Sequence, residues 1–101
     1  DMSFRDFRTG NKTNSGQLVA TADGIYGGGV IIRALSTNTG TVEVRGYASL
    51  DVDGVPTANG PILQPGDSMT VPVENPAQIY LVMTVITDSV RYLYVFNPPV
   101  A

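Results

Sequence analysis

In the last third of the chain, residues 62–96, apolar side chains recur at every second position in three successive segments. Residues 68–73 alternate apolar with mostly polar side chains, and this period of two predicts a strand that is buried on one face. Residues 78–86 and 90–96 alternate as well, but most side chains on both of their faces are apolar. Because a strand of a single-layer sheet has one polar face, each of these two strands needs a cover on its second face. The pattern leaves open whether a second sheet of the domain or a neighbouring subunit provides that cover.

Proline and glycine mark the ends of several predicted strands. The Gln-Pro-Gly-Asp sequence at 64–67 suits a type II turn, because proline fixes φ at the first central position and glycine supplies a positive φ at the second. Pro72 has no N–H group, which predicts an edge strand or a bulge for residues 68–73. The triple glycine at 27–29 precedes a strand-like segment and no lysine follows it. A turn or bulge with a close backbone approach is therefore favoured there over a phosphate-binding loop.

Further alternating segments upstream bring the total to seven or eight short strands, spaced by roughly ten residues. These upstream candidates are residues 17–22, 30–35, 41–47 and 49–55. No segment has the period of an amphipathic helix. Short strands at this spacing in 101 residues predict an all-β fold, a single-domain antiparallel β-sandwich of jelly-roll type. We expect the last two strands to be central strands of this sandwich.

The first 15 residues lack a clear period, and their second half is rich in Gly, Asn, Thr and Ser. We therefore expect residues 1–15 to form an N-terminal arm, or an edge strand over residues 2–8 followed by a loop. The β-sandwich domain then comprises residues 16–101.

Residues 4–8 bring two phenylalanines and two arginines close together in this N-terminal segment. Either an edge strand packs the phenylalanines into the core of the domain, or an arm docks on a partner with the phenylalanines as anchors and the arginines at the rim. Aromatic residues and arginine are enriched at interface hot spots. Two tyrosines of the last strand join this set, because both faces of that strand need a cover. The predicted interface residues are Phe4, Arg5, Phe7, Arg8, Tyr92 and Tyr94.

The residue inventory argues against catalysis. The chain has no histidine and no cysteine, which removes Ser-His-Asp and Cys-His arrangements and most zinc sites. We expect no enzyme activity, no cofactor and no catalytic residue. Asp51 and Asp53 precede a glycine, but a calcium loop of the EF-hand type needs further oxygen ligands and a terminal glutamate. Outward-facing acids beside an Asp-Gly turn are therefore favoured over a weak calcium site completed by other loops, which stays open.

Charge limits the partners. The net charge is −3 with only six basic residues, and this argues against nucleic acid, whose phosphates need clustered Lys and Arg. No apolar run is long enough to cross a bilayer and no signal-peptide pattern is present, so we expect no membrane contact. The charged fraction is 15%, against roughly 25% in an average domain. This fits a surface covered by partners, and it also fits a β-sandwich that uses Thr, Ser and Asn on its surface.

The string ILQPGDSMTVPVENPAQIY at 62–80, followed by VRYLYVF at 90–96, resembles small virion proteins of tailed bacteriophages. In those proteins a PGDS or PGES turn opens a Thr/Val strand, an Asn-containing turn leads to a Q-I-Y strand, and a Tyr-rich strand closes the domain. The upstream string NTGTVEVRG is similar to their strand-and-turn pattern, so the resemblance covers roughly residues 30–96. It implies a structural component of the particle, a head decoration (cement) protein. Such a protein sits on the virion surface as a homotrimer bound to the major capsid protein.

A second class of function stays open, a carbohydrate- or receptor-binding β-sandwich module of a phage fibre or surface protein. Such modules present exposed aromatic side chains, and Tyr26 and Tyr47 lie near predicted loops. The alternative for these tyrosines is an ordinary position at a strand end, with the ring buried and the hydroxyl in water.

Overall fold

The computed structural model describes residues 5–96, and within them eight β-strands form two antiparallel four-stranded sheets. Sheet I contains, in spatial order, β1 (Asp6–Thr13), β8 (Ser89–Phe96), β3 (Val30–Ala34) and β6 (Ser68–Val71). Sheet II contains β2 (Gly16–Gln17), β7 (Tyr80–Met83), β4 (Val42–Arg45) and β5 (Ile62–Leu63). A short 3-10 helix, Pro76–Gln78, precedes β7. No helix within residues 5–96 has the length and apolar character needed to cross a bilayer.

The strands pair as they would in one long hairpin that has been rolled up. The first strand pairs with the eighth, the second with the seventh, the third with the sixth and the fourth with the fifth. Two further pairings, β3 with β8 and β4 with β7, complete the sheets. This is the jelly-roll arrangement of two four-stranded sheets. The predicted all-β antiparallel sandwich is therefore confirmed, as are the central positions of the last two strands.

The core lies between the two sheets and consists of the inward-facing members of each alternating strand. Its buried side chains are Leu18, Val30, Ile32, Ala34, Val42, Val44, Leu63, Ile79, Leu81, Met83, Val90, Tyr94 and Phe96. A second sheet of the same domain thus covers one apolar face of each late strand. The outward faces of these strands have no such cover within the described part of the chain.

Predicted turns and edges agree with the structure in three places. Gly66 has a φ of 89°, and the Asp67 N–H donates to the Gln64 carbonyl at 2.9 Å, as in a type II turn. Gly29 has a φ of 110°, and a side chain there would overlap the Val71 carbonyl, so this position needs glycine for a close backbone approach. The strand before Pro72 is an edge strand of sheet I.

Several predicted boundaries are wrong. Residues 49–55 are not a strand but a turn, flanked by one bridge between Leu50 and Pro56. The Asp51 carboxylate accepts the N–H groups of Asp53 and Val55, and such side-chain hydrogen bonds compete with strand pairing. Of the strand expected at 17–22, only Gln17 lies in a strand, β2. The strand expected at 78–86 shortens to β7. In the other direction, β1 continues through the polar residues 9–13, because all eight of its residues pair with β8.

Candidate interaction surface

The outward side of sheet I has no cover within residues 5–96. Strand register places its side chains in rows, because residues directly opposite each other on antiparallel strands point to the same face. We call these residues the outer face: Phe7, Thr9, Asn11, Ile31, Arg33, Arg91, Leu93 and Val95. They alternate with the buried core side chains of β3 and β8. Three strands of one rigid sheet therefore hold this surface in position.

One part of the outer face is apolar. Phe7 is paired with Val95 and is 61% exposed, and Ile31 is paired with Leu93 and is 46% exposed. A depression of about 520 Å³ lies over this region, with Ile31, Leu93 and the neighbouring arginines in its wall. Exposed aliphatic and aromatic side chains beside a hollow are typical of interaction surfaces.

The other part of the outer face is basic. Arg33 and Arg91 lie directly opposite each other on β3 and β8, and both are exposed. Like charges in this position destabilise a sheet. Neither arginine forms a salt bridge with any carboxylate of residues 5–96. A second depression, of about 340 Å³, borders both arginines. The outer face thus carries two positive charges that have no carboxylate partner among residues 5–96, in a protein whose net charge is −3.

The predicted N-terminal interface residues are largely held against their own domain. The Arg5 guanidinium lies 3.5 Å from the centre of the Tyr26 ring, and the Arg8 guanidinium lies 4.4 Å from that of Phe96. Arg8 Nε also donates to Asp23 Oδ2 at 2.6 Å. Phe7 alone of these faces outward as a large exposed side chain. Phe4 lies outside the described residues.

Tyr94 and Tyr92 of the predicted interface face inward. Tyr94 is 1% exposed, and its hydroxyl donates to Asp23 Oδ2 at 2.7 Å. Tyr92 is half-buried and packs against Gly10, where a side chain would overlap its ring. Tyr94 is therefore a core residue that offers no surface to a partner, and Tyr92 contributes mainly to packing under β1.

The shared acceptor Asp23 joins the first and last strands electrostatically. Burial by itself would raise the pKa of its carboxyl group, but the hydrogen bonds from Tyr94 and Arg8 and the charge of Arg8 outweigh burial and lower the pKa below its usual value. Burial, followed by the hydrogen bond to Asp23, raises the pKa of Tyr94 well above that of an ordinary phenol. Both shifts stabilise one protonation state, a charged Asp23 beside a neutral Tyr94. We interpret this network as structural, because through Asp23 it links Arg8 of the edge strand β1 to the buried Tyr94 of β8.

The loop between β4 and β5 projects a small acidic and apolar tip. Val52 is fully exposed and Leu50 is 50% exposed. Asp51 Oδ1 accepts from the N–H groups of Asp53 at 2.8 Å and Val55 at 3.0 Å, so this oxygen serves the turn. Within residues 5–96, no group of three or more acidic or other ligating side chains is placed to hold a metal ion.

The two tyrosines considered for carbohydrate binding differ in exposure. Tyr26 is 46% exposed, and the Arg5 guanidinium lies over one face of its ring. Tyr47 packs edge-on against Tyr80 with ring centres 6.1 Å apart, and burial raises the pKa of its hydroxyl.

Sequence reasoning missed Arg33 and Arg91. Each stands at an outward position of a strand with apolar neighbours, which is the only signal that a sequence carries for them. Their proximity depends on the pairing of β3 with β8, two strands that are far apart in the chain.

Comparison of the chain with protein-family models gives no match, and comparisons with curated proteins and with solved structures give none either.

Proposed function

We propose that this protein is a structural virion subunit, a decoration protein that binds the outside of an assembled bacteriophage capsid and stabilises the shell. The observation that carries the proposal is the outer face of sheet I, where exposed apolar side chains adjoin two arginines without carboxylate partners among the described residues. Such a surface is incomplete in a single subunit. The resemblance of the sequence to small phage virion proteins supports a phage capsid as the assembly that this surface binds.

The residue inventory supports a structural role over a catalytic one. The chain lacks histidine, the most frequent general base, and cysteine, an intrinsically strong nucleophile. The polar groups that are buried, such as Asp88 and Asn38, bind backbone groups of their own domain. They stabilise the loop between β3 and β4. The jelly roll itself occurs in viral capsid and lectin domains alike, so the fold does not decide between the two classes.

Decoration would act by mass action. A protein that binds the assembled shell and not its free subunits shifts the equilibrium toward the shell. Several linked copies that attach at symmetric positions multiply a modest contact into tight binding. A small, rigid domain with an apolar and basic face suits this role, since little conformational entropy is lost on docking.

The test is co-sedimentation with shells assembled from the major capsid protein encoded with this chain. Wild-type protein should pellet with the shells, saturate, and raise their melting temperature in calorimetry. Phe7→Ser should weaken this binding about tenfold or more, since it removes a 61% exposed apolar side chain from the part of the outer face that lies away from the two arginines. Ile86→Ser is the control, because Ile86 is a large apolar side chain that is 71% exposed but lies in the turn after β7. Wild-type protein that stays in the supernatant at all shell concentrations would overturn the proposal.

Deleting the N-terminal segment is a poorer test. Such a deletion removes β1, which pairs with β8 over eight residues, and it also removes Arg8 from Asp23. Loss of shell binding would then follow from damage to sheet I as readily as from loss of an arm.

A further inference from the structure

We propose that the outer face of sheet I binds the β4–β5 loop of a second copy of this chain. The inference rests on the proposed function only in taking the outer face to be an assembly surface. The loop would occupy the part of the face that lines the larger depression, around Leu93 and Arg91. Phe7 and Val95 do not line this depression and stay open to the shell.

The loop tip is an ordered turn that exposes one apolar side chain. Val52 is fully exposed at its end, and Asp51 and Asp53 flank it. The tip is closed by its own hydrogen bonds, among them Gly54 N–H to the Asp51 carbonyl at 3.1 Å and Asp51 N–H to the Val55 carbonyl at 2.9 Å. A loop that is already ordered loses little entropy on binding.

The loop also keeps carboxylate oxygens available. Both turn hydrogen bonds go to Oδ1 of Asp51, which leaves Oδ2 of Asp51 without a hydrogen bond from the described residues. The Asp53 carboxylate forms no salt bridge within residues 5–96. The tip therefore presents one apolar side chain between two acids.

The outer face has the complementary form. Its larger depression has Ile31 and Leu93 in its wall, and Arg33 and Arg91 lie beside them. Val52 of one copy would lie against the apolar wall of the next, while its acids reach the arginines. Arginine and carboxylate make strong, bidentate hydrogen bonds, so this contact would neutralise the two charges that sheet I leaves side by side.

The loop and the outer face are different surfaces of one chain, so the contact is heterologous. Each copy donates one loop and receives one, and such contacts close into a ring when the rotation between neighbours allows it. A three-membered ring would be the homotrimer expected of a decoration protein. Because the contact includes exposed ion pairs, association should weaken as salt screens them.

Charge reversal tests the contact. Light scattering and sedimentation equilibrium on the free protein should show a closed oligomer for the wild type. Arg91→Glu and Asp53→Lys should each lower the association constant about tenfold or more, the scale expected for a close charge pair. The double variant, Arg91→Glu with Asp53→Lys, should recover most of this loss, because the pair is restored with reversed signs.

Two controls keep the result interpretable. Glu74→Lys makes a charge change similar to that of Asp53→Lys at an exposed site outside the loop, and it should leave the oligomer unchanged. Circular dichroism and thermal unfolding of every variant separate lost association from lost folding. A wild-type monomer at all concentrations overturns the inference. Folded single variants that associate as the wild type does, or a folded double variant that fails to recover, overturn it too.

The same variants separate this inference from the proposed function. If the wild type forms the ring but does not pellet with shells, the decoration function fails and the loop contact stands. If the wild type pellets with shells as a monomer, the loop contact fails and the decoration function stands.

Discussion

Replacing Tyr94 with phenylalanine tests how strongly the Asp23 network stabilises the sandwich. The substitution keeps the buried ring and removes only the hydroxyl, which donates to Asp23 at 2.7 Å. A hydrogen bond to a charged group contributes about 1.5–3 kcal/mol. Asp23 keeps its bond to Arg8, and its side chain is 15% exposed, so water can replace part of what is lost. We therefore expect the free energy of unfolding to fall by about 1.5–2 kcal/mol.

The assay is urea unfolding at pH 7, followed by far-UV circular dichroism. A loss of this size should lower the urea midpoint without changing the slope, and it should lower the melting temperature by roughly 6–16 °C, since each kcal/mol shifts a domain of this size by roughly 4–8 °C. Tyr92→Phe is the matched control, because Tyr92 is two residues away on the same face and its hydroxyl bonds to no side chain within residues 5–96. If both variants lose the same free energy, the network is not the cause and the reasoning is refuted.

Three further outcomes follow from the same structure. Burial and the hydrogen bond to Asp23 raise the pKa of Tyr94 above 10.0, so the neutral hydroxyl stabilises the fold fully below pH 10 and progressively less as the pH rises above 10. The free energy of unfolding, measured against pH, should therefore fall above pH 10, and it should fall less steeply in Tyr94→Phe. Asp88→Ala should cost about 2–4 kcal/mol in urea unfolding, because the buried carboxylate accepts two backbone N–H groups, and Asp88→Asn should cost less. Gly29→Ala should cost about 2 kcal/mol or more through its positive φ and the overlap with Val71, whereas the unobstructed Gly24→Ala should cost less than about 1 kcal/mol.

Strands were predictable where alternation is long and apolar. The segment 90–96 differs from β8 by one residue, and 30–35 differs from β3 by one residue. The same reasoning failed at 49–55, where Leu50 and Val52 alternate with polar residues as they would in a strand. There the Asp51 side chain binds nearby backbone N–H groups and closes a turn, so local hydrogen bonding overrides the hydrophobic pattern.

The first strand shows the opposite failure. Residues 9–13 are polar and contain a glycine, which is typical of a loop. They are held as a strand because β8 offers its free edge, and because the Tyr92 ring packs in the space that Gly10 leaves. The local sequence pattern does not predict such a strand, because the strand depends on tertiary pairing.

The candidate interaction surface could be predicted only in part. Alternation on both faces of β8 predicts a cover for each, and the core covers one of them. Phe7 is exposed on the outer face, whereas Arg8 and Tyr94 bind Asp23 within the domain. Arg33 could not have been joined with Arg91 without the register of β3 against β8.

The two outward faces of the sandwich provide an internal comparison. On sheet II the charged side chains are paired, with Arg45 donating to Glu43 at 3.0 Å and to the Pro56 carbonyl at 2.9 Å. The bond from Arg45, followed by one from the Gly60 N–H, lowers the pKa of Glu43. Sheet II therefore pairs its own charges, although its outward face belongs to the same domain as that of sheet I and meets the same solvent.

Sheet I has no such pairing for its two arginines within the described residues. If the arginines served only solubility, nothing would favour placing them directly opposite each other, where repulsion weakens the sheet. Placed beside Ile31 and Leu93, they instead match a partner that brings carboxylates together with an apolar side chain. Binding of such a partner would relieve the repulsion and cover the apolar surface in one step. This is the physical reason for proposing sheet I, and not sheet II, as the assembly surface.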